Sequence, residues 1–247
     1  MNTFKVIPVV DILNSEAVHA IKGKRTEYRP LKSNLFNTTN PYNIIQVLKE
    51  IYFFNEFYLA DLDSILRRKP NIDLLSQILE TLDVKIMLDP GIIDDKDITL
   101  FSNLKFNNLI FGLETIKNFQ VIENALQVFD SNSIILSIDM YKGKILSRMK
   151  DLSKQHPLEI MKRVENLGIK NYILLDLYRV GQKIGKVPQL YLDIRQKFDG
   201  NFIVGGGIKD LGEIISYKNY NFSGVLIATA LYDGTIKMEE LKRLNIL

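Results

Sequence analysis

Cysteine is missing from this 247-residue chain, and histidine is nearly missing. Without cysteine there are no disulfide bonds, no thiolate nucleophiles and no cysteine-ligated metal sites. The two histidines, His19 and His156, lie far apart in the sequence, and neither has a second ligand at a metal-binding spacing. We therefore predict that the protein has no metal site and uses no cofactor.

A strong net charge and long apolar runs are also lacking. The formal net charge is +3, and acidic and basic residues are mixed along the chain, which argues against a nucleic-acid reader. No apolar run approaches the roughly 18 residues that a membrane span needs, and the first residues do not resemble a signal peptide. We expect a cytoplasmic monomer or small homo-oligomer that binds neither nucleic acid nor membrane.

No linker rich in glycine, serine or proline divides the chain. Its length suits either one large α/β domain or two small ones. Its composition, 46% hydrophobic and 25% charged, is ordinary for a soluble protein with a sizeable core. Because no boundary is visible, we predict a single domain over residues 1–247.

The sequence does contain an internal repeat of about half its length, which is the first feature to seek in any chain. Apolar segments that end in a polar or glycine-rich corner occur in the first half and return in the second. The matched segments are 58–62 with 173–177, 87–92 with 204–208, 109–112 with 226–229, and 7–11 with 136–139.

Eight short apolar runs bounded by turn residues predict eight β-strands. They cover residues 4–10, 56–61, 84–88, 107–111, 133–138, 171–175, 201–205 and 224–228. Helical spacing separates most of them, most clearly over 41–54, 72–82, 118–129, 157–167 and 187–198. This alternation and the repeat favour an α/β fold, a closed (β/α)8 barrel of two similar half-barrels. A doubly wound sheet that binds a nucleotide typically has a glycine-rich turn after strand 1, whereas this chain has Asp11-Ile12-Leu13-Asn14 there, which favours the barrel.

In such a barrel the chemistry lies where the strands end at the carboxyl face. Asp11 and Asp139 end strands 1 and 5, which stand opposite each other in a ring of eight. Two carboxylates that flank a substrate can divide the work, one removing a proton while the other supplies one. The alternative is that each aspartate only caps the following turn. The opposed placement favours catalysis.

Other strand ends carry a second matched pair of aspartates, Asp61 and Asp176. We predict that this pair organises strand ends and loops beside the substrate more than it performs chemistry. Gly91, Gly112 and Arg179 are predicted to be substrate-adjacent as well.

The corners after strands 7 and 8 predict a phosphate site. Gly205, Gly206 and Gly207 close strand 7, and Ala228 and Thr229 close strand 8. In (β/α)8 barrels the loops after these two strands commonly hold phosphate. Glycines let the backbone approach the anion, and N–H groups point at it. A phosphorylated small-molecule substrate is therefore expected.

Several basic residues could either bind the substrate or lie on the solvated surface. Lys24, Arg25 and Arg29 follow strand 1, and Arg179 and Lys183 follow strand 6. They suit an anionic substrate and a solvated surface equally well.

At these residues the chain resembles the histidine-biosynthesis barrel family, which comprises the phosphoribosylformimino-aminoimidazole-carboxamide ribotide isomerase and its cyclase relative. The resemblance spans essentially the whole chain, and the segment 18–41 resembles the isomerase more. It is carried by residues 7–11, 61–63, 137–139, 205–208 and 225–234. It implies an Amadori rearrangement of an aminoaldose phosphate to an aminoketose. Asp11 would be the general base at the sugar carbon, and Asp139 the general acid that opens the ring.

The chain departs from the family where the isomerase would hold its second phosphate. After strand 3 the family has another glycine-rich turn, whereas this chain has Asp89-Pro90-Gly91. A carboxylate opposes a phosphate, and proline has no N–H to donate. Glu114 adds another acid after strand 4, and Leu175 replaces a threonine of the family in strand 6.

We therefore expect a divergent paralogue with one phosphate site and an altered second substrate end. The alternative, from another functional class, is a non-catalytic barrel that binds a phosphorylated metabolite or supports another enzyme.

Overall fold

Eight parallel strands close into a barrel in the computed structural model, which describes residues 4–243. Numbered among all strands in chain order, the barrel strands are β1 (Lys5–Leu13), β4 (Glu56–Asp61), β5 (Lys85–Asp89), β6 (Asn108–Gly112), β7 (Ile134–Tyr141), β9 (Asn171–Asp176), β10 (Asn201–Gly205) and β11 (Gly224–Ile227). Each pairs in parallel with the next, and β11 pairs with β1 to complete the ring. The predicted (β/α)8 fold is confirmed, with strand bounds within a few residues of those expected.

Helices follow the barrel strands and cover their outer face. They are α1 (Pro41–Glu50), α2 (Leu62–Arg67), α3 (Ile72–Thr81), α4 (Asp95–Phe101), α5 (Gln120–Ala125), α6 (Pro157–Val164), α7 (Gln189–Lys197), α8 (Leu211–Asn219), α9 (Thr229–Tyr232) and α10 (Met238–Arg243). Pro41 and Pro157 occupy first-turn positions, where the missing N–H costs nothing. Between residues 4 and 243, no helix is long and apolar enough to cross a membrane.

Two rim hairpins were not predicted. Strand β1 runs beyond its expected end and turns back into β2 (Glu16–His19), which pairs with β3 (Arg29–Pro30). Strand β7 does the same and pairs with β8 (Lys144–Ile145). Consecutive residues with positive φ make both turns, at 14–15 and at 142–143, which matches the tight turns that join antiparallel strands. The first strand of each half-barrel therefore carries a hairpin, and the repeat extends to the rim.

The barrel lumen is filled rather than open. Each barrel strand contributes at least one inward side chain to a single buried cluster, whose central layer is Ile7, Tyr58, Met87, Ile110, Ile135, Ile173, Ile203 and Leu226. Since side chains alternate along a strand, the residues two and four positions further on also point inward, at the carboxyl face. A larger apolar layer between the strands and the helices forms the rest of the core.

Candidate active site

The inward residues above the lumen cluster line a pocket at the carboxyl face. Eight predicted site residues lie in its lining: Asp11, Gly112, Asp139, Gly205, Gly206, Gly207, Ala228 and Thr229. Strand alternation explains the grouping, because each strand-end member lies two or four residues beyond the lumen layer. The predicted catalytic pair and the predicted phosphate corner therefore share one pocket.

Asp139 lines this pocket with 5% of its surface exposed. Its Oδ1 accepts a hydrogen bond from the Ser137 hydroxyl at 2.6 Å, and its Oδ2 accepts one from the Glu114 N–H at 3.1 Å. A Cβ atom on Gly112 would stand 2.8 Å from Oδ2, so glycine makes room for the carboxyl. Burial raises the pKa of Asp139 to about 8, and the charges of Glu114 and Asp89 act in the same direction. At neutral pH this carboxyl is mostly protonated.

Asp11 lies on β1, four strands from β7 and therefore across the barrel from Asp139. Its carboxyl makes no hydrogen bond with another residue in the described range 4–243. Burial first, and then the charge of Asp89, raises the pKa of Asp11 to about 7, whereas Arg25 lowers it. Burial thus raises the pKa of both opposed acids toward neutral pH, where a carboxyl can either take up or release a proton.

A third inward carboxylate, Asp89, lines the pocket from the end of β5. Its Oδ2 accepts a hydrogen bond from the Tyr58 hydroxyl at 2.8 Å, and its Oδ1 accepts one from the Gly91 N–H at 3.1 Å. Burial raises the pKa of Asp89 to about 6 against the lowering effect of these bonds. The sequence placed Asp89 at this corner, but it did not reveal Tyr58 as its partner.

The glycine corner after β10 has a backbone that only glycine adopts easily. Gly206 and Gly207 have φ angles of +90° and +82°. A Cβ atom on Gly206 would lie 2.8 Å from the Asp176 carbonyl oxygen, and one on Gly207 would lie 3.0 Å from Cβ of Arg179. Their N–H groups donate to no acceptor among residues 4–243. These two amides are therefore available to an anion in the pocket.

Donor groups gather beside this corner. His19, carried by the β1–β2 hairpin, places Nε2 2.9 Å from Oγ1 of Thr229, and burial lowers the pKa of the imidazole. Lys183 also lines the pocket, where its Nζ lies 2.6 Å from Oδ2 of Asp233 and 2.9 Å from Oγ1 of Thr235. Sequence reasoning weighed His19 only as a metal ligand and missed it here. The signal that was available was the turn-prone Asn14-Ser15 pair after an apolar strand.

Among the basic residues that the sequence assigned either to the substrate or to the solvated surface, Arg25 and Lys183 lie in the pocket lining. Arg25 forms an ion pair with Glu114 at 2.8 Å, which joins the loop after β2 to the corner after β6. Lys24 instead pairs with Glu27 at the surface, where both side chains are more than half exposed.

Four residues predicted to be substrate-adjacent, Asp61, Gly91, Asp176 and Arg179, lie outside the pocket lining. Ala60 belongs to the inward cluster, so alternation turns Asp61 away from the lumen. Asp61 accepts hydrogen bonds from the N–H groups of Ser64 and Asn71 at 3.1 and 2.7 Å. This is the loop-organising role that the sequence favoured for it.

Asp176 and Arg179 order the loops behind the glycine corner. Asp176 accepts hydrogen bonds from the N–H groups of Lys142, Gly143 and Tyr178 at 2.9, 2.8 and 3.0 Å. The Nη2 atom of Arg179 donates to two carbonyl oxygens of the loop before α7, at residues 185 and 186. Gly91 has φ +69° and packs against Ile65.

A family model described as histidine biosynthesis protein matches residues 5–237. The chain belongs to the histidine-biosynthesis family. The predicted family membership is thereby confirmed over nearly the whole length, including both half-barrels.

Relatives within the histidine-biosynthesis family share about a quarter of the residues. Several of them, including the two described next, carry the name 1-(5-phosphoribosyl)-5-((5-phosphoribosylamino)methylideneamino)imidazole-4-carboxamide isomerase. That of Pelagibacter ubique is 28% identical over 244 residues, covering 96% of this chain and 97% of its own. That of Lactococcus lactis is 26% identical over 242 residues, with the same coverage. An uncharacterized protein of Methanocaldococcus jannaschii is 28% identical over 239 residues, again covering 96% and 97%. The predicted enzyme class, an isomerase, agrees with the named relatives.

Substitution of Asp176 by alanine should destabilise this family member. Three backbone N–H groups would lose a charged acceptor that is itself 6% exposed, so we expect the free energy of unfolding to fall by about 2 kcal/mol. Urea denaturation measures the change. Asp151→Ala, at an exposed position, is the control and should change stability by less than about 0.5 kcal/mol. Equal effects of the two substitutions would contradict this role of Asp176.

The glycine corner permits a second test of stability. Gly206→Ala adds both a strained φ and a contact of 2.8 Å with a carbonyl oxygen, so we expect a loss of about 2 kcal/mol or more. Gly168→Ala is the matched control, because Gly168 has φ +80° with open space around its Cβ position. It should cost about 1 kcal/mol, from backbone strain alone. If thermal unfolding shows the same loss of stability for both variants, steric crowding at Gly206 does not contribute.

Proposed function

We propose that the protein is an aldose–ketose isomerase of the Amadori type that acts on a phosphorylated sugar or ribotide. The main support for this proposal is that the opposed carboxyls of Asp11 and Asp139 line the same pocket as the glycine corner at 205–207. The names of the family relatives support the reaction class.

Protonated Asp139 donates its proton to the ring oxygen of the aminoaldose, and the nitrogen lone pair forms an iminium as the C1–O bond breaks. Its raised pKa keeps this carboxyl protonated at neutral pH, which suits the acid role. The Ser137 hydroxyl and the Glu114 N–H hold it in place.

Asp11 then removes the proton from C2, and the electron pair becomes the C1–C2 double bond of an enolamine. Protonation at C1 and loss of the O2 proton give the aminoketose, so the sequence is a net isomerisation without any redox partner. A pKa of about 7 gives Asp11 a substantial fraction of carboxylate at neutral pH while keeping it basic.

The phosphate of the substrate would bind at the glycine corner. The amides of Gly206 and Gly207 face no acceptor within residues 4–243, and Thr229, His19 and Lys183 lie in the same part of the lining. Backbone N–H groups and a cation are the usual partners of a phosphate.

Solvent-deuterium exchange tests this function directly. The protein is incubated in D2O with the bisphosphate ribotide named for the relatives and, in parallel, with an N-substituted ribosylamine carrying a single 5-phosphate. An isomerase forms ketose with deuterium at C1, as followed by NMR. The competing non-catalytic barrel predicts a ligand-induced rise in melting temperature without exchange.

Genetic complementation separates the pathway enzyme from a paralogue. The chain is expressed in a histidine-requiring strain that lacks the ribotide isomerase. Growth assigns the relatives' own reaction to this chain. Exchange with the monophosphate and no growth would support an isomerase with a changed substrate, and absence of exchange with both compounds would overturn the proposed function.

A further inference from the structure

The two corners that face each other across the pocket have opposite polarity. Strand β5, which ends in Asp89, and strand β10, which ends in Gly205, lie four places apart in the ring of eight. We call the region of residues 205–207, with Lys183, the glycine end. We call the region of Tyr58, Asp89 and Glu114 the acidic end. The glycine end offers N–H donors that are free within residues 4–243, and Lys183, which pairs with Asp233. The acidic end offers the carboxylate of Asp89 beside the Arg25–Glu114 ion pair.

Asp89 is held at the acidic end in one orientation. The Tyr58 hydroxyl and the Gly91 N–H each bind a different carboxylate oxygen. A carboxylate has about four acceptor positions, so two such bonds leave room for donors from a ligand. Pro90, next in the chain, has no N–H that an anion could use.

Cationic charge is scarce at this end. Arg25 and Lys183 are the lysine and arginine side chains in the pocket lining, and each already pairs with an acid, Glu114 and Asp233 respectively. Asp89 has no salt-bridge partner among residues 4–243. Arg25 acts on Asp89 only from a distance, so a positive group of a ligand would be the direct ion-pair partner that this carboxylate lacks within the described range.

The acidic end is also not arranged for a metal ion. Within residues 4–243, no three histidine, aspartate or glutamate side chains are grouped closely enough to hold one. Phosphate is disfavoured too, because it would approach the Asp89 carboxylate, which has no ion-pair partner among residues 4–243, and like charges in a partly buried pocket repel strongly. An organic cation with N–H donors satisfies both the charge and the free acceptor positions.

We propose that Asp89 is a specificity-determining residue, and that it selects a substrate with a positively charged nitrogen group at the end opposite its phosphate. This inference rests on the proposed function, since it takes the glycine end as the phosphate site. It names the substrate class as an aminoaldose monophosphate with a second, cationic nitrogen, in place of a bisphosphate; the C1 nitrogen stays uncharged, because its lone pair forms the iminium.

A binding comparison between matched sugars tests the proposal. Glucose 6-phosphate and glucosamine 6-phosphate differ in one hydroxyl or ammonium group, and fructose 1,6-bisphosphate adds a second phosphate. We expect isothermal titration to give about tenfold tighter binding of glucosamine 6-phosphate than of the other two. In Asp89→Asn the preference for the amine should fall to about threefold or less.

Two further variants test whether a change in preference is specific to the charge of Asp89. Asp63→Asn removes the same charge from a buried aspartate in the first turn of α2, outside the pocket lining, and it should keep the wild-type preference. Asp89→Ser keeps an acceptor for the Tyr58 hydroxyl without the charge, and it serves if Asp89→Asn fails to fold. Equal affinity of wild type for the two hexose phosphates, or an unchanged preference in both Asp89 variants, would overturn the proposal.

Unphosphorylated glucosamine and glucose separate this inference from the proposed function. If the amine preference depends on Asp89 but phosphate adds no affinity, the glycine end is not a phosphate site, and the selection by Asp89 stands. If phosphate adds affinity but the amine adds none, the phosphate site stands and the role of Asp89 is refuted. Failure of every probe to bind at millimolar concentration counts against both.

Discussion

Asparagine in place of Asp11 or Asp139 should reduce turnover by about 10²- to 10⁴-fold, the usual loss when a general acid or base is removed. Asparagine keeps the shape of the side chain but can neither take up nor release the proton. The two losses should not add in the double variant, because either substitution alone stops the same proton cycle. The measurement is single-turnover conversion of the aminoaldose to the aminoketose by each variant.

The same substitution at Asp61 is the control for this prediction. Asp61 also ends a barrel strand and is fully buried, but it points away from the pocket and binds backbone N–H groups. Asp61→Asn should affect stability more than turnover per folded molecule. If Asp11→Asn or Asp139→Asn retains wild-type turnover, the acid–base assignment is wrong.

Asp139→Asn should also make the folded protein more stable than wild type at alkaline pH. Burial raises the pKa of this carboxyl from 3.8 to about 8, so in this range the native state holds a proton that the unfolded chain has lost. Stability therefore falls as pH rises. The favourable contribution is complete below about pH 4 and disappears as pH passes through about 8. Asparagine is neutral throughout and escapes this loss.

Denaturation curves at several pH values measure this effect. Between about pH 5 and pH 8, wild type should lose on the order of 3 kcal/mol relative to Asp139→Asn. The amide fits the site, since its oxygen can accept from the Glu114 N–H and its nitrogen can donate to the Ser137 hydroxyl. Asp151→Asn, the same change at the surface, should follow the wild-type curve. A stability difference that does not vary with pH would refute the raised pKa.

The two predictions connect catalysis with stability. A carboxyl kept out of water is poised to donate a proton, and the same lack of solvation costs folding free energy once the proton leaves. Loss of function and gain of stability in one variant is therefore the expected signature of Asp139, whereas Asp176→Ala should lose stability.

Much of the barrel was predictable because its signals are local. Short apolar runs between turn residues marked the barrel strands, and the repeat gave their number and closure. Alternation along each strand also separates Asp11 and Asp139, which point inward, from Asp61 and Asp176, which do not. That argument needs only the sequence and one inward residue in each strand.

What the sequence did not reveal depends on contacts between distant segments. The Tyr58 hydroxyl meets Asp89 because neighbouring strands β4 and β5 set their register through backbone pairing. His19 reaches Thr229, 210 residues away, only because β2 folds back along β1. Arg25 likewise forms its ion pair with Glu114, a residue 89 positions away in the sequence, across the mouth of the pocket. The hairpin strands themselves have two to four residues, too few to show a periodic pattern.

The side-chain cluster that fills the lumen determines by which route a ligand can enter and leave the pocket. Eight residues from Ile7 to Leu226 pack across the barrel, each no more than 7% exposed, so within residues 4–243 the pocket has no exit through the opposite face. A ligand must enter and leave by the same mouth. If the glycine corner is the phosphate site proposed above, an isomer that keeps the phosphate competes with its precursor there, and we expect competitive product inhibition.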